Sequence, residues 1–171
     1  MNKIFTTQLT GLFQRLSTDD YGYQFEDAAR LLSQAIIGEG SIYLYGSQEL
    51  SAVLAEALNG VEPLPSVKEL TLDNVKEMTI ADRAWIFTRE ISQVKELTSM
   101  LEDNQIPFVV VANKEKNSDE TVGDILIDLK VNRGLIPGET GERFGYPTGM
   151  ASLFIYHQIH FLIREMLEEE E

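Results

Sequence analysis

"GSIYLYGSQELSAVLAEALNG", residues 40–60, is the stretch on which the fold turns. Ile42-Tyr43-Leu44-Tyr45 is an apolar run of strand length. Leu50, Val53, Leu54, Ala57 and Leu58 then recur at helical steps, and Asn59-Gly60 closes that stripe. Between them Gly46 makes a tight turn. In an open α/β sheet, the helix after such a turn begins with free backbone N–H groups and the positive end of its dipole, which favours an anion. Ser47 and Ser51 add hydroxyls there. The same residues also suit an ordinary helix start, with Ser47 as N-cap and Glu49 in the first turn.

Working outward, the pattern repeats. Upstream, Ile4, Phe5, Leu9, Leu12, Phe13 and Leu16 predict one amphipathic helix. Phe25, Ala28, Ala29, Leu32, Ala35 and Ile36 predict a second, ended by the glycines of Gly38-Glu39-Gly40. These two helices take up residues 1–38. Downstream, apolar runs at 70–72, 84–87, 107–112 and 124–129 read as further strands, with a helix over 92–102. The runs are continuous rather than alternating, as in strands covered on both faces. Strands interleaved with helices imply right-handed crossovers and a parallel sheet over residues 41–129. An irregular segment, 130–147, leads to a long helix over 148–168 with Thr148 as its N-cap. The expected architecture is one three-layer αβα domain of flavodoxin- or Rossmann-like type.

The 171 residues suit a single core, and a net charge of −14, from 28 acidic against 14 basic side chains, argues against nucleic acid or an anionic membrane as partner. The run Glu168-Glu169-Glu170-Glu171 reads as a solvated helix end. With no cysteine there is no disulfide, thiolate zinc site or cysteine nucleophile. Residues 1–15 lack a signal-peptide apolar region and no run has membrane-spanning length, so the expected location is the cytoplasm.

Three further groups qualify as sites. Thr88-Arg89-Glu90-Ile91-Ser92 follows a strand, and there Thr88 and Ser92 offer hydroxyls while Arg89 suits a bidentate contact with phosphate or carboxylate. A helix cap with a surface arginine reads equally well. His157 and His160, the two histidines of the chain, stand three residues apart on the last helix. Such a pair serves as metal ligands or acid/base, or simply sits on an amphipathic face. Asn132-Arg133-Gly134 with 143–148 forms a basic loop, read as a ligand lid, a subunit contact or a plain long loop. No Walker loop, dinucleotide fingerprint, Ser-His-Asp order or zinc spacing occurs, and no metal or cofactor is expected.

Taken together, the strand, turn and helix over 42–58, the hydroxyl-bearing turn over 88–92 and the histidine in the closing helix resemble the sugar isomerase (SIS) domain family, its phosphoheptose isomerase branch above all. The resemblance implies a five-stranded parallel sheet, a phosphosugar at the carboxyl ends of the strands, and assembly into dimers or tetramers. The family's first turn reads Gly-x-Gly-x-Ser; Gly46 matches, while Gln48 and Leu50 replace the second glycine and the serine. The second reads Ser-x-Ser-Gly-x-Thr; Thr88 stands at the first serine, Glu90 at the second and Ile91 at the glycine. In "AEALNG" Glu56 matches the first of two family glutamates, and the catalytic one falls on Ala57. The family's glutamine falls on Ser152, and His160 stands where it keeps a histidine acid/base. The implied ligand is a small phosphorylated sugar or other small anion held by Gly46, Ser47, Ser51, Thr88, Arg89 and Ser92, with His160 as residual catalyst. An enediol isomerisation needs both an acid and a base, and at most one of that pair survives, so the resemblance carries the fold further than an aldose-ketose isomerase activity, which stays open if Glu49, Glu56 or Glu90 replaces the base. The competing expectation is a non-catalytic module that keeps the fold to dimerise or regulate a partner.

Overall fold

A computed structural model describes residues 1–119 and 121–170; Glu171, the last of the terminal glutamates, lies outside the described residues. The chain runs α1 (Asn2–Arg15), α2 (Asp19–Ile37), β1 (Ile42–Gly46), α3 (Ser51–Asn59), β2 (Val67–Glu69), β3 (Arg83–Glu90), α4 (Lys95–Asp103), β4 (Phe108–Asn113), β5 (Ile125–Asp128), β6 (Ile136–Pro137), β7 (Arg143–Phe144) and α5 (Thr148–Glu169). Strands β1 to β5 form one parallel sheet in the order β2-β1-β3-β4-β5. The three-layer αβα architecture with a five-stranded parallel sheet is therefore the fold.

The two faces of the sheet are packed by alternate residues of the same strands. Trp85, Phe87, Val109 and Val111 face α2, α3 and α5, whereas Ala84, Ile86, Phe108 and Val110 face Val94, Leu97 and Leu101 around α4. Burial on both faces is why β3 and β4 read as unbroken apolar runs. Trp85 is fully buried and stacks on Tyr156 of α5, with ring centroids 5.4 Å apart. Helix α1 is tied to α5 by Phe13 against Phe154, 4.8 Å between centroids.

Several local expectations need correction. The strand expected at 70–72 is β2, at Val67–Glu69. Leu70 N–H still donates to the Leu44 carbonyl (2.8 Å), but Thr71 and Asn74 then bond each other's backbone through their side chains and turn the chain away. The helix expected from 92 begins as a 3-10 turn, Ile91–Val94, before α4. At the end of α2 the left-handed residue is Glu39 (φ 61°), not either glycine. Gly40 is needed for another reason, since a Cβ there would lie 2.2 Å from the Ala81 carbonyl oxygen. Pro147, not Thr148, is the N-cap of α5, and Thr148 is buried in its first turn. The segment 130–147 is not irregular throughout. It carries the small antiparallel hairpin β6–β7, pairing Ile136 with Phe144 and Pro137 with Arg143.

Candidate site at the carboxyl ends of the strands

Gly46 ends β1, and its lack of a side chain is obligatory. A Cβ would stand 2.2 Å from the Leu50 carbonyl oxygen, because a 3-10 turn, Gln48–Leu50, folds back over the strand end before α3 starts. That turn requires a left-handed residue, and Gln48 supplies it at φ 50°, a conformation glycine adopts without strain and glutamine does not. Ser47 caps nothing. Its buried hydroxyl bonds the Thr88 hydroxyl (3.1 Å), joining the ends of β1 and β3.

Thr88 is fully buried, and its hydroxyl also reaches the Glu90 carbonyl (3.1 Å) and Gln93 Oε1 (3.1 Å). Here the β3–β4 ladder shifts register, between Phe87 and Glu90, and this bulge redirects the next side chains outward. Arg89 emerges from it and turns back across the first turn. Its Nη2 donates to Gln48 Oε1, and its Nε lies 3.4 Å from Glu49 Oε1. Gln48 and Glu49 thus hold the one cation of the two turns. Ser51 and Ser92 are exposed and outside this network.

Beside this interlock an open pocket of about 600 Å³ lies over the ends of β3 and β4. Arg89, Glu90, Asn113, Lys114, Lys116 and Thr148 contribute to its walls. Thr148 of the first turn of α5 is part of the lining, so a positive helix end adjoins three cations, Arg89, Lys114 and Lys116, set against two carboxylates, Glu90 and Glu115. Of the sequence-derived residues, Arg89 lines this pocket; Gly46, Ser47, Ser51, Thr88 and Ser92 do not. Lys114 and Lys116 went unnoticed in the sequence. Their signal was position, directly after the most apolar strand, where ligands of parallel sheets gather.

His160 is not brought to these turns within the chain. Helix α5 runs from the carboxyl to the amino ends of the strands, and the stretch 148–160 rises about 18 Å. His160 lies beside Glu62, Pro63, Pro65 and Arg164, around a pocket of about 230 Å³. It is buried, and its pKa falls below the ordinary histidine value, through desolvation first and then His157 and Arg164, against an upward pull from Glu62 and Glu56. Its ring is tilted against Tyr156 at 5.5 Å. On the same face, Tyr156 and Ser152 bury hydroxyls with no hydrogen-bond partner among the described residues, as Trp85 does its indole N–H. Burial, with the charge of Glu56, raises the Tyr156 pKa. Among the described residues no group of three or more acidic, histidine or cysteine side chains is placed to hold a metal ion, and no helix is long and apolar enough to cross a membrane.

Known proteins place this geometry. A crystal structure of a candidate sugar-phosphate isomerase from Listeria monocytogenes superposes with a TM-score of 0.56 at 14% identity, covering 84% of this chain and 77% of the other. The sugar isomerase domain of an RpiR transcription factor from Sphaerobacter thermophilus gives a TM-score of 0.55 at 14% identity, covering 97% of both chains. At that identity the likeness concerns the fold, which is of the sugar isomerase type. A Bacillus subtilis (strain 168) relative, "Uncharacterized protein YwjG", is 42% identical over 173 residues, covering 99% of each chain. The family model named domain of unknown function DUF2529 matches residues 1–167, and the chain belongs to that family.

Proposed function

We propose that this protein is a non-catalytic SIS-fold module that binds a small phosphorylated sugar at the carboxyl ends of its strands. The observation carrying this reading is the pocket where Arg89, Lys114, Lys116 and Thr148 of α5 converge, three cations against the carboxylates of Glu90 and Glu115, in an otherwise acidic protein. A phosphate dianion fits such a place through charge-assisted bonds and the helix dipole. Relative to the phosphoheptose isomerases, the recognition surface has moved off the two hydroxyl turns and towards β4.

Isomerisation is not part of the proposal. Ala57 has no proton to exchange, Ser152 is buried, and His160 faces the other end of the sheet. Glu90 lines the pocket, but the acid/base pair that the resemblance implies is not assembled there, so an enediol is not expected to form. Fold alone does not restore an activity. Thermal-shift measurements with a panel of sugar monophosphates test the binding claim, with stabilisation expected at millimolar ligand and lost in Arg89→Ala. No stabilisation by any member would overturn it. Conversion of sedoheptulose 7-phosphate, with or without zinc, would overturn the non-catalytic part.

A second reading has its own support. The Ser47–Thr88–Gln93 network and the clasp of Arg89 by Gln48 and Glu49 fill both turns with the protein's own groups. A module that retains the fold only to pair with another protein would look the same there. A flat thermal-shift panel favours this reading.

A further inference from the structure

Five of the chain's 14 basic side chains (Arg15, Lys116, Lys130, Arg133 and Arg143) line one pocket of about 570 Å³. It lies between α1, the end of β5 and the β6–β7 hairpin. Asp128 is the single carboxylate in its wall, so five positive side chains against one negative leave four positive charges unmatched. In a protein with twice as many acidic as basic residues, such a cluster repels itself unless something anionic joins it.

The cluster is built rather than incidental. Arg143 Nε donates to the Gly134 carbonyl (2.7 Å) and its Nη2 to the Leu135 carbonyl (2.9 Å), so backbone holds the guanidinium without neutralising it. Lys130 Nζ sits over the Tyr21 ring, 5.1 Å from its centroid, and the Tyr21 hydroxyl donates to the Asp128 carbonyl (2.7 Å). Asp128 Oδ1 accepts the backbone N–H of Lys114 (3.1 Å) and of Lys130 (3.0 Å), which keeps that carboxylate occupied. Ion pairs among the described residues use Arg30, Arg89 and Arg164; none uses these five. Gly134 makes the approach possible, since a Cβ there would meet the Phe144 carbonyl oxygen at 2.4 Å and push the hairpin off.

We propose that this pocket binds a small organic molecule carrying two or more phosphate groups. One phosphate dianion leaves half of the four charges unmatched; a bisphosphate balances them and a diphosphate comes close. Leu12, Val131, Leu135 and Pro147 give the cleft an apolar wall for the organic part. The site adjoins the pocket at Arg89 and shares Lys116, Val131 and Asn132 with it, while Arg15, Lys130, Arg133 and Arg143 belong to this pocket alone.

Isothermal titration with inorganic pyrophosphate and inorganic phosphate, at low and at physiological salt, tests this. Pyrophosphate is expected to bind at least tenfold more tightly than phosphate. The double variant Arg15→Ala, Arg133→Ala removes two cations whose side chains make no hydrogen bond among the described residues, so its fold survives, as far-UV circular dichroism checks; its pyrophosphate affinity falls at least tenfold. Arg30→Ala, on the exposed face of α2, leaves the affinity unchanged. Equal binding of the two anions, or full pyrophosphate affinity in the double variant, overturns the proposal. Because the double variant keeps Arg89 and Lys114, its sugar-monophosphate response separates failure here from failure of the Arg89 pocket.

Discussion

Gly46 and Gln48 stand two residues apart and answer to different constraints. At Gly46 the obstacle is a backbone oxygen that cannot step aside, so Gly46→Ala is expected to lower stability by about 1–3 kcal/mol, as overpacking does, read from urea midpoints. At Gln48 the constraint is the backbone angle, and the side chain contributes by clasping Arg89. Removing both clasps, in Gln48→Gly with Glu49→Ala, frees the guanidinium. Exposed ion pairs contribute about 0.2–1 kcal/mol, so sugar-phosphate affinity is expected to rise by about 1.5- to 5-fold by titration. An affinity that falls instead would mean that Arg89 works only when held. The glycine was legible as a turn, but the clasp was not. A one-dimensional pattern records residue types, whereas the Arg89–Glu49 approach depends on the β3 bulge.

At the scale of the element, α5 concentrates buried polar groups against the sheet. Tyr156 buries an unpartnered hydroxyl, so Tyr156→Phe removes a desolvated group while keeping the ring stacked on Trp85. The variant is expected to be neutral or more stable by about 1–3 kcal/mol; a large loss would show that the hydroxyl has a partner in solution. His160 adds a pH dependence. Its folded pKa is depressed below the unfolded value of about 6.5, so the unfolded chain binds the proton first. The stability this group supports is present above that value and is lost as pH falls through it towards the folded pKa. Melting temperatures of the wild type should therefore decline below about pH 6.5 more steeply than those of His160→Gln. Superimposable profiles would exclude this role. The histidine's residue spacing was readable in advance, but its end of the sheet was not, because that depends on the direction in which α5 packs.

For the whole molecule, Trp85 is the single tryptophan and sits between the sheet and α5, so its fluorescence reports the main core. If α1, the hairpin and the sheet unfold as one body, the urea transition followed by fluorescence coincides with that followed by circular dichroism. A second, earlier circular dichroism transition would mark α1 as separately stable. The fold was legible for the reason that the core is: β1, β3 and β4 are buried on both faces and spell out apolar runs. Strand β2 escaped because Val67-Lys68-Glu69 is an edge segment with two exposed charged side chains, and hairpin strands of two residues carry no period to detect. That same short, charged edge has a consequence for behaviour at high concentration. A free strand edge is a template for other chains, yet one of three residues bearing Lys68 and Glu69 gives an incoming strand little length and little apolar surface to pair with. The sheet thus offers a poor template for fibril growth on that side.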